Sequence, residues 1–279
     1  MPIHSKPDLA TLKERVARHY DELSSFYRDL WGVHIHHGYW KTGRETKEEA
    51  QEQLITELIS RAQIKHGSRI LDVGCGIGGS AISLNKTLGA QVTGITISSN
   101  QVAIGNDLAK ACGADVLLLQ TDAETFEIHE PFDAVWSIEA ISHMSNKARC
   151  FCSIANNLRH GGTLVVADWF ASSSTTPDQE QKFLAPIERA MLVPKLKSQT
   201  FYAECIREAG LQVSLVDDLS THVSKTWDLA IELIADPNLW RFAAERGKDF
   251  LAFLEGFKAM RAGYRSGTLI YGLLVAHKS

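Results

Sequence analysis

The stretch RILDVGCGIGGSA, residues 69–81, brings the carboxyl of Asp72 to the lip of a loop holding Gly74, Cys75, Gly76, Gly78 and Gly79. Glycines at this spacing after an apolar run let backbone approach a ligand and aim the N–H groups of a following helix at it. Such loops often cradle a pyrophosphate, but a carboxylate two residues before the first glycine would oppose that charge. A carboxylate about 4 Å from a cation gains roughly 1 kcal/mol in bulk water and about 4 kcal/mol at an effective dielectric near 20. The sign of Asp72 therefore selects a cationic ligand.

A nucleotide site of this kind usually places an acid about 20 residues further on to hold the ribose hydroxyls. Here VTGITIS presents Thr96 instead, with no Arg or Lys for a 2'-phosphate. Thr96 and Gln101 are neutral candidates for the ribose, and Asp122, followed by Ala123 in LQTDAETF, is placed to accept from an adenine amino group. S-adenosylmethionine carries a sulfonium and an ammonium and no phosphate, so it meets these requirements where NAD does not.

Further along, Trp136 is a candidate to line the cofactor pocket, and Glu139 and His143 are candidates for the reacting end. Trp136 stands near the tip of the apolar segment FDAVWSIEA, and Glu139 and His143 are four apart just after it, the spacing of one short helical turn facing the site. His143 suits the role of a base near neutral pH, and Glu139 could assist it or face a developing carbocation. In HIHHG, His34 and His36 share one face of an extended segment, but no acidic third ligand lies close, and no metal is expected. Cys75, Cys112, Cys150, Cys152 and Cys205 are odd in number and scattered, with no C-x-x-C pair, and read as reduced thiols rather than disulfides or a zinc site.

The elements that must position these groups alternate. TKEEAQEQLITELISRA is an amphipathic helix; SRILDVG, AQVTGITIS, ADVLLLQTD, FDAVWSIEA and GTLVVADWF read as strands separated by helices, one of them, NKARCFCSIANNLRHGG, closed at Gly161. After Phe170 a polar Ser/Thr/Pro loop opens an irregular or helical insertion to about residue 197. A helix (SQTFYAECIREAG), a strand (LQVSLVDDLS), a long helical stretch broken near Pro237 and a last apolar strand (TLIYGLLVAHK) follow. Apolar strands joined by helices require a parallel sheet covered on both faces. The expected fold is α/β: a Rossmann-like doubly wound seven-stranded sheet, mostly parallel with an antiparallel last strand, plus a helical cap.

The 279 residues, 44% hydrophobic and 22% charged, fit one sizeable domain or a core with a cap. A net charge of -4 without a basic patch argues against a nucleic-acid partner. The apolar runs are too short to span a membrane and MPIHSKPDLATLKERV lacks a leader's apolar segment, so a cytoplasmic protein is expected.

With ILDVGCGIGG, TDAE, FDAVWSIEAISHM and LRHGGTLVVADWF in place, the chain resembles class I S-adenosylmethionine-dependent methyltransferases. YDELSSFYRDLWGVHIHHGYW, the GITIS segment followed by Gln101, and VWSIEAISHM bring it nearest to the tocopherol C-methyltransferases, with their relatives among alkaloid N-methyltransferases, sterol methyltransferases and cyclopropane fatty acid synthases. The resemblance covers about residues 15–170. It implies S-adenosyl-L-methionine as cofactor, Tyr20 and Tyr39 over its methionine part, and a histidine loop that closes on it. The order of elements divides the chain into an N-terminal helical cap and cofactor lid (1–62), an S-adenosylmethionine-binding Rossmann-like core (63–170) and the remainder of the core with helical acceptor-side insertions (171–279). The expected reaction is methylation of a hydrophobic small molecule, carbon slightly preferred to nitrogen or oxygen. An NAD-dependent oxidoreductase and a non-methylating cyclase or regulatory protein are the alternatives. Trp227, Leu229, Trp240, Phe242 and the stripe Phe250, Phe253, Leu254, Phe257 would pack the cap or wall an apolar acceptor.

Overall fold

The computed structural model describes residues 9–127, 131–246 and 248–279. The leader argument therefore rests in part on residues outside those described, and the side chain of Phe242 lies outside them too. Two helices open the chain, α1 (Leu9–Trp31) and α2 (Lys47–Ala62). Thr46 starts α2 with a capping box: its hydroxyl accepts from the Glu49 N–H while the Glu49 carboxylate accepts from the Thr46 N–H.

The alternating core follows as β1 (Arg69–Val73), α3 (Gly79–Leu88), β2 (Gln91–Thr96), α4 (Ser99–Cys112), β3 (Val116–Gln120), β4 (Phe132–Ile138), α5 (Lys147–Asn157) and β5 (Leu158–Ala171). The insertion comprises α6 (Pro177–Gln179), a π-helical turn over Glu180–Leu184 and α7 (Ala185–Ala190). Pro186 lacks the N–H that would continue regular pairing there. Next come α8 (Gln199–Glu208), β6 (Leu211–Asp218), α9 (Ser220–Val223), α10 (Lys225–Leu233), α11 (Pro237–Arg246), α12 (Lys248–Ser266) and β7 (Leu269–Lys278).

The seven strands form one sheet in the order β3-β2-β1-β4-β5-β7-β6. Strands β1 to β5 are parallel, and β7 runs antiparallel to both β5 and β6. The order turns at β1, between β2 and β4, which puts a crevice beyond the carboxyl ends of those strands. Apolar clusters cover both faces. One gathers Leu54, Leu58, Trp136 and Tyr271 under the cap; the other gathers Phe132, Phe151, Phe170 and Tyr202 under α5 and α8.

One boundary differs from the sequence expectation. The helix after β4 ends at Asn157, not Gly161, because Leu158 is already extended and pairs with Phe132; Gly161, at φ 73, sits within β5 where the register with β4 shifts. Among the described residues no helix is long and apolar enough to cross a membrane, and all five cysteines are free.

Candidate active site

The carboxyl ends of β1, β2 and β4 open into a cavity that α1 and α12 cover. Asp72, Gly74, Cys75 and Gly76 line it from the first loop, Thr96 and Gln101 from the second, and Asp122 and Ala123 from the third. Asp72 pairs in register with Gly94 on one side and Trp136 on the other, which places its carboxyl mid-sheet. It is 2% exposed and its Oδ2 has no hydrogen-bond partner. Burial alone raises its pKa from 3.8 to about 7. A buried carboxylate facing a cavity without a donor is what a cationic ligand would complete.

Gly74 and Gly76 adopt left-handed φ values of 74° and 55°, and a Cβ on Gly74 would stand 2.1 Å from that of Ala140. The loop is thus open to backbone contact only with glycine there. Thr96 Oγ1 donates to Gln101 Oε1 at 2.6 Å, so only the NH2 donors of Gln101 remain for a ligand oxygen. Asp122 is already engaged: Lys13 of α1 donates to its Oδ2 at 2.8 Å and reaches Glu124 at 2.9 Å. Asp21 of α1 accepts from Ser98 Oγ at 2.6 Å and from the Asn100 N–H at 3.0 Å. These contacts hold α1 down over the cavity at the ends of β2 and β3.

Glu139 and His143 both reach the wall, but not from one helical turn. Glu139 has φ 53, and only Ile141–His143 form a 3-10 turn. Glu139 is the centre of a buried network. Its Oε1 accepts from the His37 N–H (2.7 Å) and Tyr271 hydroxyl (3.0 Å), its Oε2 from His37 Nδ1 (2.9 Å) and Trp169 Nε1 (3.1 Å). Trp227 Nε1 donates to His37 Nε2 at 2.7 Å; since indole can only donate, the His37 hydrogen sits on Nδ1 and points at Glu139. Burial opposes ionisation of Glu139, yet the attraction and hydrogen bonds of His37 outweigh it and hold the carboxyl below its usual range. The four donors, from His37, Trp169 and Tyr271, engage both oxygens of Glu139 and fix the carboxylate at the cavity wall.

His143 is oriented differently. The Leu192 carbonyl, 3.3 Å from Nδ1, can only accept, so Nδ1 carries the hydrogen and Nε2 is the acceptor. Among the described residues Nε2 meets only the Tyr20 hydroxyl, at 3.5 Å, a contact weak enough for a ligand hydroxyl to displace. Burial lowers the His143 pKa to about 4, leaving the ring neutral. Leu192 itself has φ 52, and of three non-glycine residues in left-handed conformation among those described, two, Glu139 and Leu192, serve this site.

Two expected site residues are elsewhere. Trp136 is fully buried in the core beneath the cap, since the alternation of β4 turns it away from the cavity. Tyr39 stacks on His222 of α9 at 4.3 Å and its hydroxyl accepts from Arg61 of α2, so it packs between those helices and not in the cavity lining. Tyr20 does line the cavity, as do His34, His36, Trp227, Phe253, Leu254 and Phe257. Asp217, near the end of β6, pairs with Arg61 of α2. Among the described residues no cluster of His, Cys, Asp and Glu could hold a metal. His37, Trp169 and Tyr271 were not singled out from the sequence. The one signal for the last two is a polar-tipped aromatic near a strand end in VVADWF and TLIYG, where Trp169 and Tyr271 prove to be register partners.

The mycolic acid cyclopropane synthetase family model matches residues 8–246. The 27-O-demethylrifamycin SV methyltransferase of Amycolatopsis mediterranei (strain S699) is 33% identical over 78% of this chain and 80% of its own. Tocopherol O-methyltransferase, chloroplastic, of Arabidopsis thaliana is 27% identical over 96% of this chain and 82% of its own. Among solved structures, the [4+2]-cyclase SpnF superposes with a TM-score of 0.80 at 27% identity, covering 95% of this chain and 96% of that one. Mycolic acid cyclopropane synthase CmaA1 superposes at 0.82 over 99% of this chain and all of its own; at 22% identity it supports the fold alone. An unpartnered carboxylate over a glycine cradle fits a sulfonium cofactor, and together with these likenesses it places the chain in the mycolic acid cyclopropane synthetase family, as a class I methyltransferase that uses S-adenosylmethionine.

Proposed function

We propose that this enzyme methylates a hydroxyl oxygen of an uncharged, hydrophobic small molecule, with His143 as the base. The observation that carries the reading is the contrast between the two polar groups of the reacting end: Glu139 is saturated by donors, while His143 keeps Nε2 turned to the cavity. The cofactor supplies a methyl carbon already activated by its sulfonium. The protein's task is to align the acceptor and exclude water. As the acceptor hydroxyl oxygen gained positive charge on methylation, Nε2 of His143 would take its proton. A base as weak as a buried imidazole suffices, because the proton leaves an oxygen that is becoming an oxonium.

The aromatic part of the lining, with Phe26, Trp31, Phe253 and Phe257, suits an apolar aromatic or polycyclic body. Relatives named as a 27-O-demethylrifamycin SV methyltransferase and a tocopherol O-methyltransferase are consistent with such acceptors. A carbon acceptor, slightly preferred from the sequence, would draw on Glu139 as a second basic group, and Glu139 is occupied. Free thiols fit a reducing compartment such as the cytoplasm. The test is a screen of lipophilic phenols, alcohols, amines and alkenes for gain of one methylene in mass, with wild type and His143→Gln. Methylation of hydroxyls lost in the variant supports the reading; products methylated only at carbon or nitrogen overturn it.

A further inference from the structure

Two charged side chains, Lys147 and Asp168, are buried behind the cavity wall without lining it. Asp168 on β5 is 0% exposed, and its Oδ2 accepts from the Ser142 N–H at 2.7 Å while Oδ1 accepts from the Trp169 N–H at 2.8 Å. Lys147, the first residue of α5, folds its ammonium back to donate to the carbonyls of Ser142 (3.2 Å) and Met144 (3.0 Å). The backbone of Ser142 is thus gripped at both its N–H and its C=O, and Lys147 holds the carbonyls on either side of His143. The turn itself is a single one, closed by His143 N–H to Ala140 O and Met144 N–H to Ile141 O.

Removing two charges from water costs several kcal/mol per ion, and apolar residues of similar volume would stabilise a fold at least as well. What the charges add is direction: each fixes a backbone group that an apolar side chain could not. We propose that Lys147 and Asp168 are positioning residues for methyl transfer, locking the Ile141–His143 turn so that Nε2 of His143 stays aimed at the acceptor. The proposal rests on His143 acting as the base. The groups around the pair are Cys150 from α5, Tyr202 from α8, Glu124 after β3 and Lys197 before α8. Burial pushes the Asp168 carboxyl up and the Lys147 ammonium down, and each charge partly offsets the shift in the other. The Lys147 charge also contributes to the depressed value of His143.

Histidine-labelled full-length protein, with His143→Gln assigning the ring, reads the position of His143 by NMR without any acceptor. Wild type is expected to show one sharp His143 signal in the Nδ1–H tautomer. In Lys147→Met and Asp168→Asn that signal should broaden or split, and in Lys147→Met its titration midpoint should rise, with affinity for S-adenosylhomocysteine unchanged by calorimetry. With a lipophilic phenol as probe acceptor, kcat should fall about tenfold or more while KM holds. A His143 signal identical to wild type in both variants overturns the proposal. Should neither variant fold, the Ser142 amide of wild type decides: a resonance that follows the titration of Asp168 supports the grip, and one indifferent to it refutes it. Undiminished transfer by His143→Gln would instead remove the base role, a failure read on activity and separate from the ring signal.

Discussion

Replacing Asp72 by Asn tests the electrostatic logic of the cavity at its root. The carboxyl is 2% exposed, and burial carries its pKa from 3.8 to about 7, a displacement equivalent to about 4 kcal/mol against the ionised form. A cation about 4 Å away returns a similar sum, about 4 kcal/mol at an effective dielectric near 20. The cofactor's charge and the buried carboxylate therefore offset each other, and Asn, which neither costs nor gains this energy, should weaken S-adenosylmethionine binding by roughly 2 to 4 kcal/mol, about thirtyfold to a thousandfold in Kd. Without ligand the sign reverses. Because the folded pKa lies above the unfolded one, the contribution of Asp72 to stability is complete below 3.8 and is lost as pH rises through about 7. The ligand-free Asn variant should then melt higher than wild type at mildly alkaline pH and no higher in acid. Calorimetric titration in buffers of different ionisation enthalpy should also show wild type releasing a proton on binding below neutral pH, and the variant releasing none. An Asn variant that binds as tightly as wild type and melts lower at alkaline pH would refute the reasoning.

Four further outcomes are expected. His143→Gln should lower kcat about a hundredfold or more with cofactor affinity intact; in wild type, transfer should stay flat through neutrality and decline only as pH falls through about 4, where His143 gains its proton. His36 is likewise held near 4 by burial, so its contribution to stability is present above 6.5 and lost as pH falls toward 4; His36→Gln should resist acid unfolding better than wild type, as followed by circular dichroism. Glu139→Gln faces two donors with an NH2 group and should lose about 3 to 5 kcal/mol in urea unfolding, whereas a loss below about 1 kcal/mol would show that the four-donor network is slack. Gly74→Ala forces a methyl to 2.1 Å from Ala140 at a left-handed φ, and should abolish cofactor binding in an equilibrium dialysis assay; normal binding would mean that the loop yields easily.

What the sequence made legible was local. The acid and glycines of the first loop lie within one window of the chain, as do the alternating strands and helices, so periodicity and spacing were enough to place Asp72, Thr96, Gln101 and Asp122 around one crevice. The surroundings of Glu139 are not local: residues 37, 169 and 271 meet it only through the pairing of β5 with β7 and the fold of the cap. No spacing rule announces that a carboxylate will be saturated. Trp136 illustrates the other kind of loss, since which face of β4 turns to the ligand is decided by registers with β1 and β5 and not by the aromatic character of the segment. The backbone of Leu192, whose carbonyl sets the tautomer of His143, carries no side-chain signature at all.

The place of β7 has a bearing on how the enzyme comes into being. It is the last strand in chain order, yet it lies between β5 and β6, and β6 has no other neighbour in the sheet. During vectorial synthesis β6 therefore emerges with nothing to pair with, and Glu139 lacks its Tyr271 donor until the final strand threads into the gap. Until β7 is added, the glycine loop can form while the carboxylate beside it lacks one of its four donors. Pairings this distant are slow to close and leave strand edges bare in the interval, so yield during expression should depend more on temperature and chaperone supply than on the cofactor.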